Sequence, residues 1–113
     1  MTTIWHNPRC SKSRQTLKLL EEQGEKITIR TYLHDAPSAE ELQAALAQLG
    51  LRAIDITRTG EKLFRELGLG KSDDDKTLIA ALAANPALIE RPIVFKEGRA
   101  AIGRPPENVL DIL

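Results

Sequence analysis

The sequence predicts an α/β fold built from a β-α-β unit, a helical segment and a β-β-α unit, in that order. The beginning of the chain has a short apolar stretch, a helical repeat and a second β-rich stretch. The middle, from about residue 38 to residue 89, carries only helical patterns, and the end holds two β-rich stretches around a turn. A right-handed β-α-β unit followed by a hairpin and a helix is the thioredoxin-type layout, here with a helical insertion.

The first predicted unit begins with a short strand over Thr2–Trp5. Asn7-Pro8 is a turn signal, and a helix is predicted from Ser11, with Gly24 as its C-terminal stop. The β-rich stretch Ile27–Leu33 then predicts a second strand.

The predicted insertion begins with a capping box. The hydroxyl of Ser38 can accept from the backbone of Glu41, whose carboxylate can accept in return, and Gly50 ends the helix that follows. Residues 52–67 predict one or two short helices with a break near Gly60. A further helix is predicted from Ser72, where the aspartates at 73–75 lie favourably near its positive end.

The last unit reads as a β-hairpin and a helix. Pro92–Phe95 and Arg99–Ile102 flank the turn residues Lys96–Gly98. Pro105-Pro106 suits the first turn of a closing helix.

Length and charge exclude several classes of protein. A chain of 113 residues with 42% hydrophobic and 28% charged residues predicts one globular domain over residues 1–113. Sixteen basic and sixteen acidic residues cancel, so the charge balance gives no indication of nucleic acid or an anionic membrane as partner. The longest apolar run, Leu78–Ala84, is far short of the ~20 residues that a membrane span needs. One unpaired cysteine and no secretory signal favour a cytoplasmic location.

Cys10 is the candidate nucleophile. Its neighbours Arg9, Lys12 and Arg14 are charged residues that are rarely buried in a core, and the helical pattern begins directly after Cys10. Cations and a helix N-terminus both favour the thiolate, which is the reactive form of a thiol. His6, four residues earlier, is a candidate supporting residue, because an imidazolium near the sulfur would stabilise the thiolate.

Three arginines lie at the ends of predicted elements. Arg58 is at a helix break, Arg91 precedes Pro92, and Arg104 precedes Pro105. A guanidinium matches a tetrahedral oxyanion in charge and in donor geometry, so these residues are candidates for binding one. No metal-ligand pattern is present, since one cysteine and two dispersed histidines do not form a zinc motif.

The phosphatase loop of low-molecular-weight enzymes is excluded by spacing. That loop needs an arginine six residues after the cysteine, and Thr16 occupies the position here.

Three segments together resemble the glutaredoxin-coupled arsenate reductase (ArsC) family, closest to its short Yfgd-like subgroup. They are His6–Arg14, Glu90–Val94 and Gly103–Glu107, and the resemblance extends to the closing Val109–Leu113. It implies a thioredoxin-like fold with a helical insertion and a cis peptide before Pro92.

The resemblance also implies roles and partners. Cys10 takes the position of the catalytic cysteine, and His6 that of the histidine that supports its thiolate. Arg58, Arg91 and Arg104 match the arginines that hold the oxyanion, which is arsenate or another small oxyanion. No cofactor is implied; glutathione is the co-substrate and glutaredoxin the protein partner.

Two other functions stay open at this point. A general thiol-disulfide or deglutathionylating enzyme would use Cys10 without an oxyanion. A regulator resembling the Spx proteins, which share this fold, would bind RNA polymerase. The redox switch of those proteins commonly uses Cys-x-x-Cys, and Ser13 occupies the second position here.

Overall fold

A computed structural model describes residues 1–113. The chain divides into two compact units. The first unit comprises Met1–Asp35 and Arg91–Leu113, and the second comprises Ala36–Glu90. The segment predicted as an insertion, about residues 38–89, falls within the second unit, while the single-domain organisation remains a prediction.

The first unit is built on a four-stranded mixed sheet. Its strands are β1 (Thr2–Trp5), β2 (Ile27–Arg30), β3 (Ile93–Lys96) and β4 (Arg99–Ile102). Their spatial order is β2-β1-β3-β4, with β1 parallel to β2 and antiparallel to β3, which in turn is antiparallel to β4. Glu97 and Gly98 close the hairpin with φ of 51° and 80°. Positive φ at both central residues is the turn geometry that suits the twist of a two-residue hairpin.

Helix α1 (Ser11–Glu22) and a closing 3₁₀ helix (Pro106–Ile112) belong to the same unit. The core between sheet and helices is formed by five apolar side chains, from β1, α1, β3 and the closing helix: Ile4, Leu20, Val94, Val109 and Ile112. Strands and helices from both ends of the sequence therefore share one core. The α/β, thioredoxin-like layout is confirmed.

Two predicted elements of this unit differ in the structure. The second strand ends at Arg30 rather than at Leu33, because the chain turns at Thr31, whose carbonyl accepts from the N–H of His34 at 2.9 Å. The closing helix is 3₁₀ rather than α. Val109 and Ile112, three residues apart, both reach the core, and a repeat of three residues per turn brings such a pair onto one face.

The second unit is helical. It contains α2 (Ala39–Leu49), α3 (Lys62–Glu66) and α4 (Asp75–Ala84), with 3₁₀ turns at Ala53–Ile56 and Pro86–Leu88. The predicted capping box is confirmed, since the Glu41 N–H donates to Ser38 Oγ at 3.1 Å and the Ser38 N–H donates to Glu41 Oε1 at 3.0 Å.

Helix α4 begins later than predicted. Its N-cap is Asp74, whose Oδ1 accepts from the Thr77 N–H at 2.8 Å, and not Ser72. Asp73 accepts from the Gly70 N–H at 2.8 Å, so it closes the turn that precedes the helix. Asp73 and Asp74 thus have separate backbone partners. None of the helices is long and apolar enough to cross a membrane.

Candidate active site

A tight turn carries Cys10 to the start of α1. The Cys10 N–H donates to the Asn7 carbonyl at 3.0 Å, which closes a four-residue β-turn with Pro8 at its second position. The Asn7 side chain accepts from the Arg9 N–H at 3.0 Å. Cys10 is the N-cap of α1, with extended dihedrals of −92° and 123°. Its partly exposed sulfur therefore lies at the positive end of a 12-residue helix.

The surroundings of Cys10 favour its thiolate. Burial opposes the charged form, but the backbone N–H of Ser13 and the guanidinium groups of Arg91 and Arg104 outweigh it and lower the pKa of the Cys10 thiol.

Two of the three predicted arginines lie with Cys10 in the first unit. Arg104 Nη1 is 3.7 Å from the Cys10 sulfur and donates to the carbonyl of Arg91 at 3.0 Å. The peptide bonds that follow both arginines, to Pro92 and Pro105, are cis. The cis geometry at Pro92 agrees with the prediction, whereas the one at Pro105 was not predicted.

Arg58 belongs to the second unit. Its N–H donates to the Leu88 carbonyl at 2.8 Å, and its Nη2 pairs with Glu61 Oε1 at 3.1 Å. Its Nη1 is buried and makes no hydrogen bond. A cavity of about 410 Å³ adjoins this group, lined by Thr57, Arg58, Thr59, Gly60, Glu61 and Glu90. The role of Arg58 in binding an oxyanion beside Cys10 remains a prediction.

His6 is buried at the end of β1. Its Nδ1 lies 2.7 Å from the hydroxyl of Ser13. Burial, and then the positive charge of Arg14, lower the pKa of the imidazole. The expected imidazolium is therefore disfavoured. Burial removes water from the charged ring, and the positive charge of Arg14 repels it.

Ser13 and Arg14 were not predicted as site residues. Ser13 is completely buried, and Arg14 Nη1 donates to the Pro8 carbonyl at 2.9 Å. Both side chains hold the turn that presents Cys10. No signal in the sequence separates Ser13 from the exposed Ser11 two residues earlier, because the burial of its hydroxyl becomes visible only in the folded turn.

A thioredoxin-like fold with a thiolate-favouring cysteine at the start of its first helix defines a thiol-dependent oxidoreductase. The chain belongs to the ArsC family, whose model matches residues 5–112. The predicted family is thereby confirmed.

Two relatives and one solved structure match this chain along almost their full length. An arsenate reductase of Neisseria meningitidis is 46% identical over 112 residues, covering 97% of this chain and 96% of the relative. The uncharacterized protein YfgD of Escherichia coli K12 is 47% identical over 112 residues, covering 97% and 94%. Among solved structures, an arsenate reductase from Vibrio cholerae has a TM-score of 0.95 at 50% identity, covering 99% of this chain and 97% of that one.

Proposed function

We propose that this protein is a thiol-dependent arsenate reductase in which the Cys10 thiolate is the nucleophile. The observation that carries the proposal is the position of Arg104 Nη1, 3.7 Å from the Cys10 sulfur. A thiolate and a guanidinium at this separation can engage the same oxyanion, one through its central atom and the other through its oxygens. Family membership and the arsenate reductases among its relatives support the choice of arsenate.

The arginines supply the charge that the reaction needs. An arsenate dianion repels a thiolate, and guanidinium groups neutralise the negative charge on the oxygens as the sulfur approaches. Arg91 and Arg104 fill this role from the first unit, and Arg58 is the third candidate.

The first half of the reaction attaches arsenic to the enzyme. The Cys10 sulfur forms a bond to arsenic, and one arsenate oxygen leaves as hydroxide, which is protonated to water. The thiol of glutathione then displaces a second oxygen in the same way. Arsenic is still pentavalent and is now bound to two sulfurs.

The second half transfers the electrons. A glutaredoxin thiolate attacks the glutathione sulfur, the sulfur–arsenic bond breaks, and its electron pair stays on arsenic, which becomes trivalent. Water then releases arsenite and restores Cys10. Glutathione and glutaredoxin together lose two electrons and form a disulfide, so one cysteine in this chain is sufficient.

A coupled assay tests the proposal. Wild-type protein, glutathione and glutaredoxin are mixed with arsenate, and arsenite is measured directly. We expect arsenite production that requires both thiol components and that Cys10→Ser abolishes. Equal arsenite production by wild type and Cys10→Ser would contradict the proposal.

A further inference from the structure

The Ser13 hydroxyl sits in a buried chain of hydrogen bonds beneath Cys10. It accepts from the Asn7 N–H at 3.0 Å and lies 2.7 Å from His6 Nδ1. Ser13 is 0% exposed and His6 only 6% exposed, so water does not compete for these groups. The same serine is the third residue of α1, whose N-cap is Cys10, and its backbone N–H favours the Cys10 thiolate.

Counting protons assigns the direction of the bond to His6. The Asn7 N–H can only donate, so one lone pair of Ser13 Oγ is occupied. If Nδ1 carried a proton, Oγ would accept twice and its own proton would be left without an acceptor in a buried site. If Nδ1 is unprotonated, the hydroxyl donates to it, and Nδ1, the hydroxyl and the Asn7 N–H each have a partner. The second arrangement places the ring proton on Nε2.

We infer that Ser13 is a positioning residue that connects an uncharged His6 to the Cys10 thiolate. The His6 ring accepts from the Ser13 hydroxyl and fixes the first turn of α1, which keeps the Ser13 backbone N–H directed at the sulfur. His6 thus acts through Ser13 and not through a positive charge. The inference rests on the part of the proposed function that makes Cys10 a nucleophile.

The charged neighbours agree with a neutral ring. Arg14 on α1 faces His6 and disfavours its protonation. Arg9 and His34 line a cavity together with His6, so the other titratable and charged groups there are basic as well. The positive charge that stabilises the thiolate comes instead from Arg91 and Arg104.

Two substitutions of His6 separate the two roles of this residue. His6→Asn retains an acceptor oxygen near the position of Nδ1 but can never carry a positive charge. His6→Ala removes both the acceptor and the charge. Ser13→Ala removes the hydroxyl that joins His6 Nδ1 to the Asn7 N–H. Ser11 is an exposed serine in the same turn, so Ser11→Ala is the matched control.

The measurement is the alkylation rate of Cys10 by iodoacetamide as a function of pH, on the full chain and without arsenate. We expect Ser13→Ala and His6→Ala to raise the Cys10 pKa and to reduce the rate at neutral pH about three- to tenfold, the effect of losing a hydrogen bond to a charged sulfur. His6→Asn and Ser11→Ala should stay within about twofold of wild type, since both keep the acceptor that Ser13 needs. Equal losses for His6→Asn and His6→Ala, or an unchanged profile for Ser13→Ala, would overturn the inference.

A second readout does not depend on substituting the buried serine. The ¹⁵N chemical shifts of the His6 ring in the wild-type chain distinguish an unprotonated Nδ1 from a protonated one. We expect Nδ1 unprotonated at neutral pH, and a protonated Nδ1 would also overturn the inference. Both readouts are independent of arsenate turnover, so a chain that fails to reduce arsenate but gives these results refutes the proposed function alone.

Discussion

Arg104 Nη1 lies 3.7 Å from the Cys10 sulfur, although 94 positions separate the two residues in the chain. The contact exists because β3 pairs with β1, which brings the hairpin half of the first unit beside the loop that precedes α1. A cation from one end of the sequence therefore stabilises an anion at the other end.

Removing the Arg104 guanidinium should make Cys10 less reactive. Arg104→Ala deletes a donor that favours the thiolate, so the Cys10 pKa rises and alkylation at neutral pH slows about three- to tenfold. Arg104→Lys keeps a charge but loses the planar fork, so we expect an intermediate rate. Alkylation kinetics with iodoacetamide provide the measurement, and an Arg104→Ala variant as reactive as wild type would contradict this assignment.

The reactivity of Cys10 should depend on pH with a midpoint below that of an ordinary thiol. The folded structure lowers the pKa, so the thiolate persists at pH values where an unfolded chain is protonated. Reactivity is retained above the lowered pKa and is lost as the pH falls through it. Alkylation rates of the native chain and of the same chain in urea test this prediction; coincident midpoints would show that the fold does not activate the cysteine.

Arsenate turnover and disulfide exchange should respond differently to loss of the arginines. Arg91→Ala and Arg104→Ala remove positive charge that stabilises the oxyanion as well as the thiolate, so arsenite production should fall further than reduction of a glutathione mixed disulfide. Parallel assays on both substrates measure the difference. Arg65→Ala, an exposed arginine on α3, is the control. Equal losses on both substrates would favour the general thiol-disulfide alternative.

The backbone at Gly103 is packed too closely for a larger residue. A Cβ at this position would lie 2.5 Å from Thr16 Oγ1 and 2.8 Å from Pro92 Cγ. We expect Gly103→Ala to lower the free energy of unfolding by about 1–3 kcal/mol, the usual range for overpacking. Urea denaturation measures the loss. Gly70→Ala, where an added Cβ meets nothing within 4 Å, should have a much smaller effect.

Local signals in the sequence predicted most of the fold. The Ser38–Glu41 capping box and the hairpin depend on neighbouring residues. The capping box forms as predicted, and the hairpin forms with its first strand at Ile93–Lys96 rather than at Pro92–Phe95. The closing helix could not be assigned as 3₁₀ in advance, because Val109 and Ile112 suit either helix type until the core that they face is known. The start of α4 was missed because several adjacent residues can cap a helix, and the competing turn at Asp73 decides among them.

Part of the candidate site could also be predicted from local signals in the sequence. Cys10 stood out through its basic neighbours and the helix after it, and Arg91 and Arg104 through the prolines that follow them. The protonation of His6 depends on the burial of its ring and on the proximity of the Arg14 charge, and the sequence shows neither of these. The buried hydrogen bonds of the Ser13 hydroxyl become visible only in the folded turn.

Protection of Cys10 by arsenate tests the central claim most directly. If the thiolate attacks arsenic in a site formed with Arg91 and Arg104, rising arsenate should slow iodoacetamide alkylation of Cys10 in a saturable manner. Half-maximal protection should require more arsenate in Arg104→Ala than in wild type. An alkylation rate that is independent of arsenate, at concentrations that support turnover, would contradict the account.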